Sequence, residues 1–319
     1  MSAEHEGATG KEIFASNAGW DASAKAYVTS MLGESKDKIR LEMFVGRKLV
    51  VDRVVSALGS KESPVVLDVA AAGGEPTLTM AKAMPHAEVH GTDFAPAMVE
   101  FIRKRAEESG LSNVKAGVED GMLLSGFGDG TVDAVTCTWG VESMPDHMKA
   151  LQQFHRVLRD DRLAVITVWD KNPNSLATKL FGVMQEIAGS PPLSDIQPLG
   201  GEDGNVARKI MEEAGFVDVQ VSKVNIPMYA SPGTGYGELF SYAIGPTPAE
   251  VALASMESAG RPNIREEAAA IFEAKMKKDM AEGNGPPGPG LPSGGGPPHD
   301  ESQPVFFLEA LLIEALKKE

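Results

Sequence analysis

A single cysteine, Cys137, stands in 319 residues. With one thiol the chain makes no disulfide of its own, and zinc or iron–sulfur sites that need several thiolates are excluded. The six histidines show no H-E-x-x-H spacing, so no metal is expected. No run approaches the roughly 18 apolar residues needed to span a bilayer, and membrane insertion is not expected. The first twelve residues, MSAEHEGATGKE, lack an apolar stretch and carry three glutamates. A secretory signal or an Arg-rich transit peptide looks different, so the expected location is cytoplasmic. Basic residues are also few: 30 Lys and Arg against 45 Asp and Glu leave a formal charge of −15. Such a surface repels nucleic acid, and no basic stripe offsets it. A small neutral or cationic molecule suits this field better as a partner. Oligomeric state is not legible.

What is present reads as an ordinary globular chain of one large or two small domains, 42% hydrophobic and 24% charged. Residues 11–58 read as helical: Ile39, Met43, Val50, Val54 and Leu58 fall close to helical spacing, Gly59 suits a C-terminal cap, and Trp20, Ala24 and Tyr27 share a face further upstream. From 64 to 170 the pattern alternates. PVVLDVA, AEVHGTD, NVKAGVED, TVDAVTCTW and LAVITVWD read as strands; EPTLTMAKAM, APAMVEFIRKRAEESG and HMKALQQFHRVLRD read as helices. Such alternation predicts an α/β fold with a parallel sheet wound on both faces, and right-handed crossovers put every strand's carboxyl end on one edge, where these sheets bind ligands. ARKIMEEAGF and VDVQVSKVNIPM add a helix and a strand, and 231–281 reads as helical with loops. Residues 282–304 are rich in Gly and Pro without a G-x-y period and predict a mobile loop. The final PVFFLEALLIEALKKE is ambiguous, with helical composition but an apolar run that suits a buried strand. No internal repeat is evident.

The chemistry concentrates in VVLDVAAAGGEPTLTMA, residues 65–81, where Asp68 interrupts an apolar run just before a loop of small residues. A buried carboxylate is costly unless something satisfies it, so Asp68 marks either a tolerated defect or a site. Ala70, Ala72 and Gly74 let a ligand lie against the backbone, and the helix start beyond Pro76 favours an anionic group. Asp93 ends the next strand 25 residues on, where a carboxylate accepts hydrogen bonds from a ribose. Asp120 follows the third strand and would accept from an adenine amino group, with the Gly121 amide facing the ring. The three stations describe a pocket for an adenosine-containing ligand. The dinucleotide fingerprint G-x-G-x-x-G is absent; D-x-A-x-A-x-G stands in its place.

At these residues the chain resembles class I S-adenosylmethionine-dependent methyltransferases, and within them the small-molecule branch with the ubiquinone- and menaquinone-type enzymes. The resemblance rests on VVLDVAAAGGEPTLTMA, HGTDFAPAMV, DGTVDAVTCTWGVESMPDHMKAL and FHRVLRDDRLAVITVW. It implies a Rossmann-like, mostly parallel seven-stranded sheet with an antiparallel last strand, N-terminal helices and a helical lid insertion. The implied divisions are a helical cap at 1–60, a cofactor-binding core at 61–228, a lid at 229–304 and the last strand at 305–319. Asp68 would act through the methionine end of S-adenosyl-L-methionine, often by way of water. Ala70, Ala72 and Gly74 take the small loop positions, Asp93 the ribose, Phe94 and Met98 the two faces of the adenine, and Cys137 with Thr138 the strand end beside the sulfonium. Ala replaces the usual Gly at 70 and 72, and Asp120 needs a one-residue shift to align, which leaves Glu119 as an alternative. Cys137 is read as a packing residue and His155 as structural.

The implied activity is methyl transfer to an O, N, S or C atom of a small-molecule metabolite by in-line displacement. Alternatives are a non-catalytic S-adenosylmethionine-binding regulatory subunit, or another enzyme using this cofactor on the same fold. Glu142 and His147 are the candidate catalytic groups. Trp20, Tyr27, Trp139 and Trp169 are the candidate substrate-facing aromatics.

Overall fold

The alternation read between 64 and 170 is realised almost element for element. The computed structural model describes residues 16–32, 39–41, 43–170, 173–188, 204–231, 233–244, 247–286 and 306–318. In chain order these form α1 (Asn17–Leu32), β1 (Ile39–Leu41), α2 (Phe44–Leu58), β2 (Val65–Val69), α3 (Thr77–Ala83), β3 (Glu88–Asp93) and α4 (Pro96–Glu108). β4 (Val114–Val118), β5 (Val132–Thr138), a 3-10 turn at Val141–Ser143, α5 (His147–Val157), β6 (Leu158–Trp169) and α6 (Leu176–Ala188) follow. The remainder comprises α7 (Asn205–Glu213), β7 (Val217–Ala230), α8 (Tyr236–Ile244), α9 (Pro248–Ser258), α10 (Ile264–Glu282) and β8 (Phe306–Lys317).

The chain divides into two compact units. The first comprises Phe44–Asp170, Pro198–Val224 and Ala310–Glu319. Its sheet has β6, β5, β2, β3 and β4 side by side and parallel, with β8 beyond β6 and β7 beyond β8. β8 runs antiparallel to β6, from Arg162 opposite Lys317 to Trp169 opposite Ala310. The last strand is therefore antiparallel, as the resemblance implied. Its Leu, Glu, Ala and Lys favour helix, yet the ladder to β6 and the burial of Ala310, Leu311, Leu312, Ile313 and Ala315 override that preference.

Burial explains the composition of the central strands. Residues 132–137 of β5 are all buried, and a strand covered on both faces reads as an apolar run instead of an alternating one. One face packs on α5, which is started by Asp146 accepting the Lys149 N–H at 2.9 Å. That helix buries Ala150, Leu151, Phe154 and Val157 at near-helical spacing. They join Leu67, Val69, Val135, Ile166, Val168 and Phe216 in one apolar cluster. His155 on α5 meets Phe216 edge to face at 5.1 Å, a packing contact that fits its reading as structural.

The second unit comprises Met1–Met43, Lys171–Gln197 and Asn225–Glu309. Here α10 buries Ile264, Ala268, Phe272 and Met276, a strict four-residue stripe, with Phe272 against Phe240 of α8 at 5.5 Å. Lys179 of α6 pairs with Asp279 of α10 at 2.6 Å, and Arg261 donates to the Ile187 carbonyl at 2.6 Å. The expected helix through 39–58 is corrected. Ile39–Leu41 is a short strand, paired antiparallel with Met228–Ala230, and the helix begins only at Phe44. A partner almost 200 residues away in sequence decides that conformation, which local spacing cannot register. Of the Gly/Pro-rich run expected to be a mobile loop, 287–304 lies outside the described residues.

Candidate active site

The parallel strands of the first unit end together at the carboxyl edge, and Asp68, Asp93 and Thr138 lie at or near these strand ends. Asp68, fully buried on β2, is satisfied. Thr77 Oγ1 donates to Oδ2 at 2.6 Å and Thr136 Oγ1 donates to Oδ1 at 2.7 Å, and the Thr77 backbone N–H also donates to the carboxylate. Burial nevertheless raises its pKa to about 6, because desolvation outweighs these neutral donors. The anion at the start of α3 is thus Asp68 itself. That corrects the expectation that this helix start waits for a ligand's carboxylate or phosphate. Asp68 ties β2, β5 and α3 together and has no surface of its own.

The loop between β2 and α3 has an unusual backbone. Ala70 has φ 55°, Ala72 φ 48° and Gly74 φ 102°. Left-handed backbone costs a residue with a Cβ about 1–2 kcal/mol. Gly is the usual occupant, so the two alanines sit where the resemblance expects glycine. Arg105 from α4 pins the loop from behind, donating to the Gly73 carbonyl at 2.6 Å and pairing with Glu75 at 3.1 Å. On the opposite side, Gly140 approaches Ala70 so closely that a side chain there would collide with the Ala70 methyl.

Asp93, 6% exposed at the end of β3, joins two loops. It accepts the Ala72 N–H at 2.9 Å and the Ala95 N–H at 3.0 Å. It therefore shapes the small-residue loop directly, a link that spacing alone does not reveal. Phe94 is half-buried. Met98, expected against the adenine ring, is 1% exposed and packed into the core with Val99 and Ile102, so it presents no open face. Asp120 accepts the Met122 N–H on Oδ1 at 2.8 Å, and its Oδ2 has no hydrogen-bond partner among the described residues. Glu119 is turned elsewhere, accepting the Gly126 N–H at 3.0 Å. Asp120 is the one of the two with acceptor capacity to spare. Gly121 is small for packing: a Cβ there would lie 2.6 Å from Met144 Cε and 2.9 Å from Val69 Cγ1.

At the end of β5, Cys137 is fully buried and burial pushes its thiol pKa up, which leaves it unreactive. Thr138 is partly exposed beside it. Trp139 follows with φ 55°, an uncommon conformation for so large a residue, and stacks on Trp169 with centroids 5.2 Å apart and planes 25° apart. Its indole Nε1 is buried without a hydrogen-bond partner among the described residues. Glu142, 6% exposed, accepts the Trp169 N–H at 2.9 Å and holds that strand end in place. His147 donates to the Glu142 carbonyl, while burial lowers its pKa. Its Nε2 is buried and has no hydrogen-bond partner among the described residues, so the bond runs through Nδ1–H. Trp20 and Tyr27 meet edge to face at 5.9 Å on α1 of the second unit.

Sequence patterns do not single out Thr77, Thr136, Arg105 or Asp170. Thr136 carries a signal, a hydroxyl inside an otherwise apolar strand. Arg105 carries none, because only the tertiary fold brings α4 to the loop. Among the described residues no cluster of three or more His, Cys, Asp or Glu is placed to hold a metal ion, and no helix is long and apolar enough to cross a membrane.

Residues 66–161 match the family model described as a methyltransferase domain, and the sheet resembles the Rossmann-like fold of the class I S-adenosylmethionine-dependent methyltransferases. The chain is similar to quinone-type enzymes. It is 39% identical over 135 residues to a demethylmenaquinone methyltransferase of Thermus thermophilus, covering 42% of this chain and 59% of that protein. The match thus spans less than two thirds of that relative. With the demethylmenaquinone methyltransferase of Staphylococcus aureus it shares 28% identity over 194 residues, covering 56% of this chain and 78% of the other. The YcgJ protein of Bacillus subtilis has the same fold, with a TM-score of 0.56 at 20% identity over 86% of this chain and 98% of that one.

Proposed function

We propose that the protein is an enzyme that moves the methyl group of S-adenosyl-L-methionine onto an O, N, S or C atom of a small molecule. The observation that carries this reading is the loop after β2. Two alanines held in left-handed backbone at one turn represent stored strain, and strain of this kind concentrates where a backbone must be presented to a ligand. The cofactor supplies a methyl already activated on a sulfonium sulfur.

The residues present fit such a group. Ala70, Ala72 and Gly74 keep side chains small along the loop, Asp93 is the acceptor for the ribose hydroxyls, and Phe94 offers a ring for the adenine. Asp120 Oδ2, without a partner among the described residues, is the acceptor for the exocyclic amine. Asp68 acts from beneath, by fixing the loop through Thr77, and Thr138 lies at the strand end assigned to the reacting sulfur. The protein's remaining task is to align the acceptor atom roughly 3 Å from the methyl and to exclude water. Trp139 and Trp169 form the wall that orients it. His147, whose Nε2 has no hydrogen-bond partner among the described residues, is the group able to accept a proton where the acceptor carries one at neutral pH. Glu142 has a positioning role, since its carboxylate holds Trp169.

Incubation with methyl-labelled S-adenosylmethionine and a small-molecule metabolite extract, followed by mass identification, tests the reading. A labelled product of added methyl mass is expected. Saturable cofactor binding without any labelled product would instead favour a non-catalytic binding subunit.

A further inference from the structure

Four carboxylates are buried along the carboxyl edge of the first unit, and three of them accept hydrogen bonds from protein donors. Asp68 holds two threonine hydroxyls, Asp93 holds the Ala72 and Ala95 amides, and Glu142 holds the Trp169 amide. The fourth, Asp170, is 2% exposed and immediately follows Trp169 at the end of β6. Its Oδ2 is buried and accepts no hydrogen bond among the described residues. Lys223 Nζ, on a side chain that is half exposed, forms an ion pair with it at 3.6 Å. A carboxylate oxygen stripped of water without a hydrogen bond is unfavourable, and native structures keep such an atom chiefly where function needs it. The indole Nε1 of Trp139 is also buried and has no hydrogen-bond partner among the described residues, and its ring stacks on Trp169, next to Asp170 in the chain. A hydrogen-bond acceptor and a donor thus stand unsatisfied around one aromatic pair.

We propose that Asp170 is a specificity-determining residue of the acceptor site, taking a hydrogen bond from a hydroxyl or ammonium group of the methyl acceptor. Rejection of acceptors lacking that donor follows, because Oδ2 would then stay buried without a hydrogen bond. The inference rests on the proposed methyl transfer.

Asp170→Asn keeps the shape and removes the charge, and three readouts on the full-length protein test it. Thermal melting should show no loss of stability, because a buried charge with one oxygen lacking a hydrogen bond has been removed. Calorimetric titration with S-adenosylmethionine should give an affinity within two-fold of wild type. Labelled product from the metabolite extract should fall at least ten-fold, and the wild-type product should carry a hydroxyl or ammonium group. Product formation within three-fold of wild type would overturn the inference alone. So would an acceptor without a hydrogen-bond donor, or an activity loss that tracks lowered melting, which would mark Asp170 as the structural partner of Lys223. Absence of product from the wild-type protein would overturn the proposed function and this inference with it.

Discussion

Two carboxylates lie fully buried in one sheet, Asp68 on β2 near its carboxyl end and Asp133 on β5 near its amino end, and their surroundings differ in kind. Asp133 meets cations: Lys61 on Oδ1, Arg159 on Oδ2 at 2.5 Å and Arg162 at 3.3 Å from Oδ1, with the Val65 N–H donating at 2.9 Å. Burial pushes its pKa up, but Lys61, the Val65 amide and Arg159 together hold it below the usual carboxylate range. Asp68 meets only neutral donors, and burial wins. One end of the sheet is neutralised and relaxed. The other retains a carboxylate without a cation at Asp68, left-handed alanines at 70 and 72, and Asp170 Oδ2 and Trp139 Nε1 without hydrogen bonds among the described residues. A fold keeps strain where it handles ligands and removes it where it only has to hold together.

Breaking the relaxed end should have the largest effect. Asp133→Ala strands three cations and an amide, and because the cations are partly exposed and can rehydrate, a loss of about 3 kcal/mol is expected. Urea unfolding measures it, and a loss below half that size would show that the cations contribute little.

The pH dependence separates the two ends by sign. Asp68 titrates near 6 in the fold against 3.8 for an ordinary side chain. The folded state therefore binds more protons between those values, so this contribution is complete below about 3.8 and lost as pH rises through about 6. The loss is about 3 kcal/mol at most. Asp133 runs the other way, its contribution present above the usual carboxylate range and lost as pH falls below it. Asp68→Asn should flatten the stability profile between pH 4 and 7 while leaving the acid limb. An unchanged profile in that window would mean that Asp68 titrates normally.

At the strained end, Asp93→Ala should weaken S-adenosylmethionine binding by about 1.5–3 kcal/mol, the worth of hydrogen bonds to a charged acceptor. It should also lower stability, since two amides lose their acceptor. Ala72→Gly should raise stability by about 1 kcal/mol, because the left-handed φ suits glycine better than alanine. Affinity should stay equal or improve. The usual entropic penalty of glycine is the smaller term here.

Much of this arrangement is legible in the amino-acid sequence. An apolar run ending in Asp68 and a carboxylate closing the next strand locate the edge, and alternation supplies the sheet. The sign of φ is not legible, since Ala-Ala-Ala-Gly-Gly has no local feature that selects left-handed backbone at 70 and 72; tethers from Arg105, Asp93 and Gly140 do. Met98 departs from its expected place because its helical face turns to the core once α4 docks. β1 departs from the expected helix because its partner lies at 228–230. Asp170 repeats the Asp68 pattern, an apolar strand ending in a carboxylate. Sequence does not distinguish it, because nothing local tells which of several acids is left with an oxygen lacking a hydrogen bond.

Calorimetric titration of S-adenosylmethionine into wild type, Asp93→Ala and Asp133→Ala, each at a temperature where circular dichroism shows it folded, tests the contrast between the ends most directly. One saturable site in the wild type, weakened at least ten-fold by Asp93→Ala and unaltered by Asp133→Ala, is the predicted result. No binding to the wild type, or equal loss in both variants, would contradict the assignment of the carboxyl edge as the cofactor site.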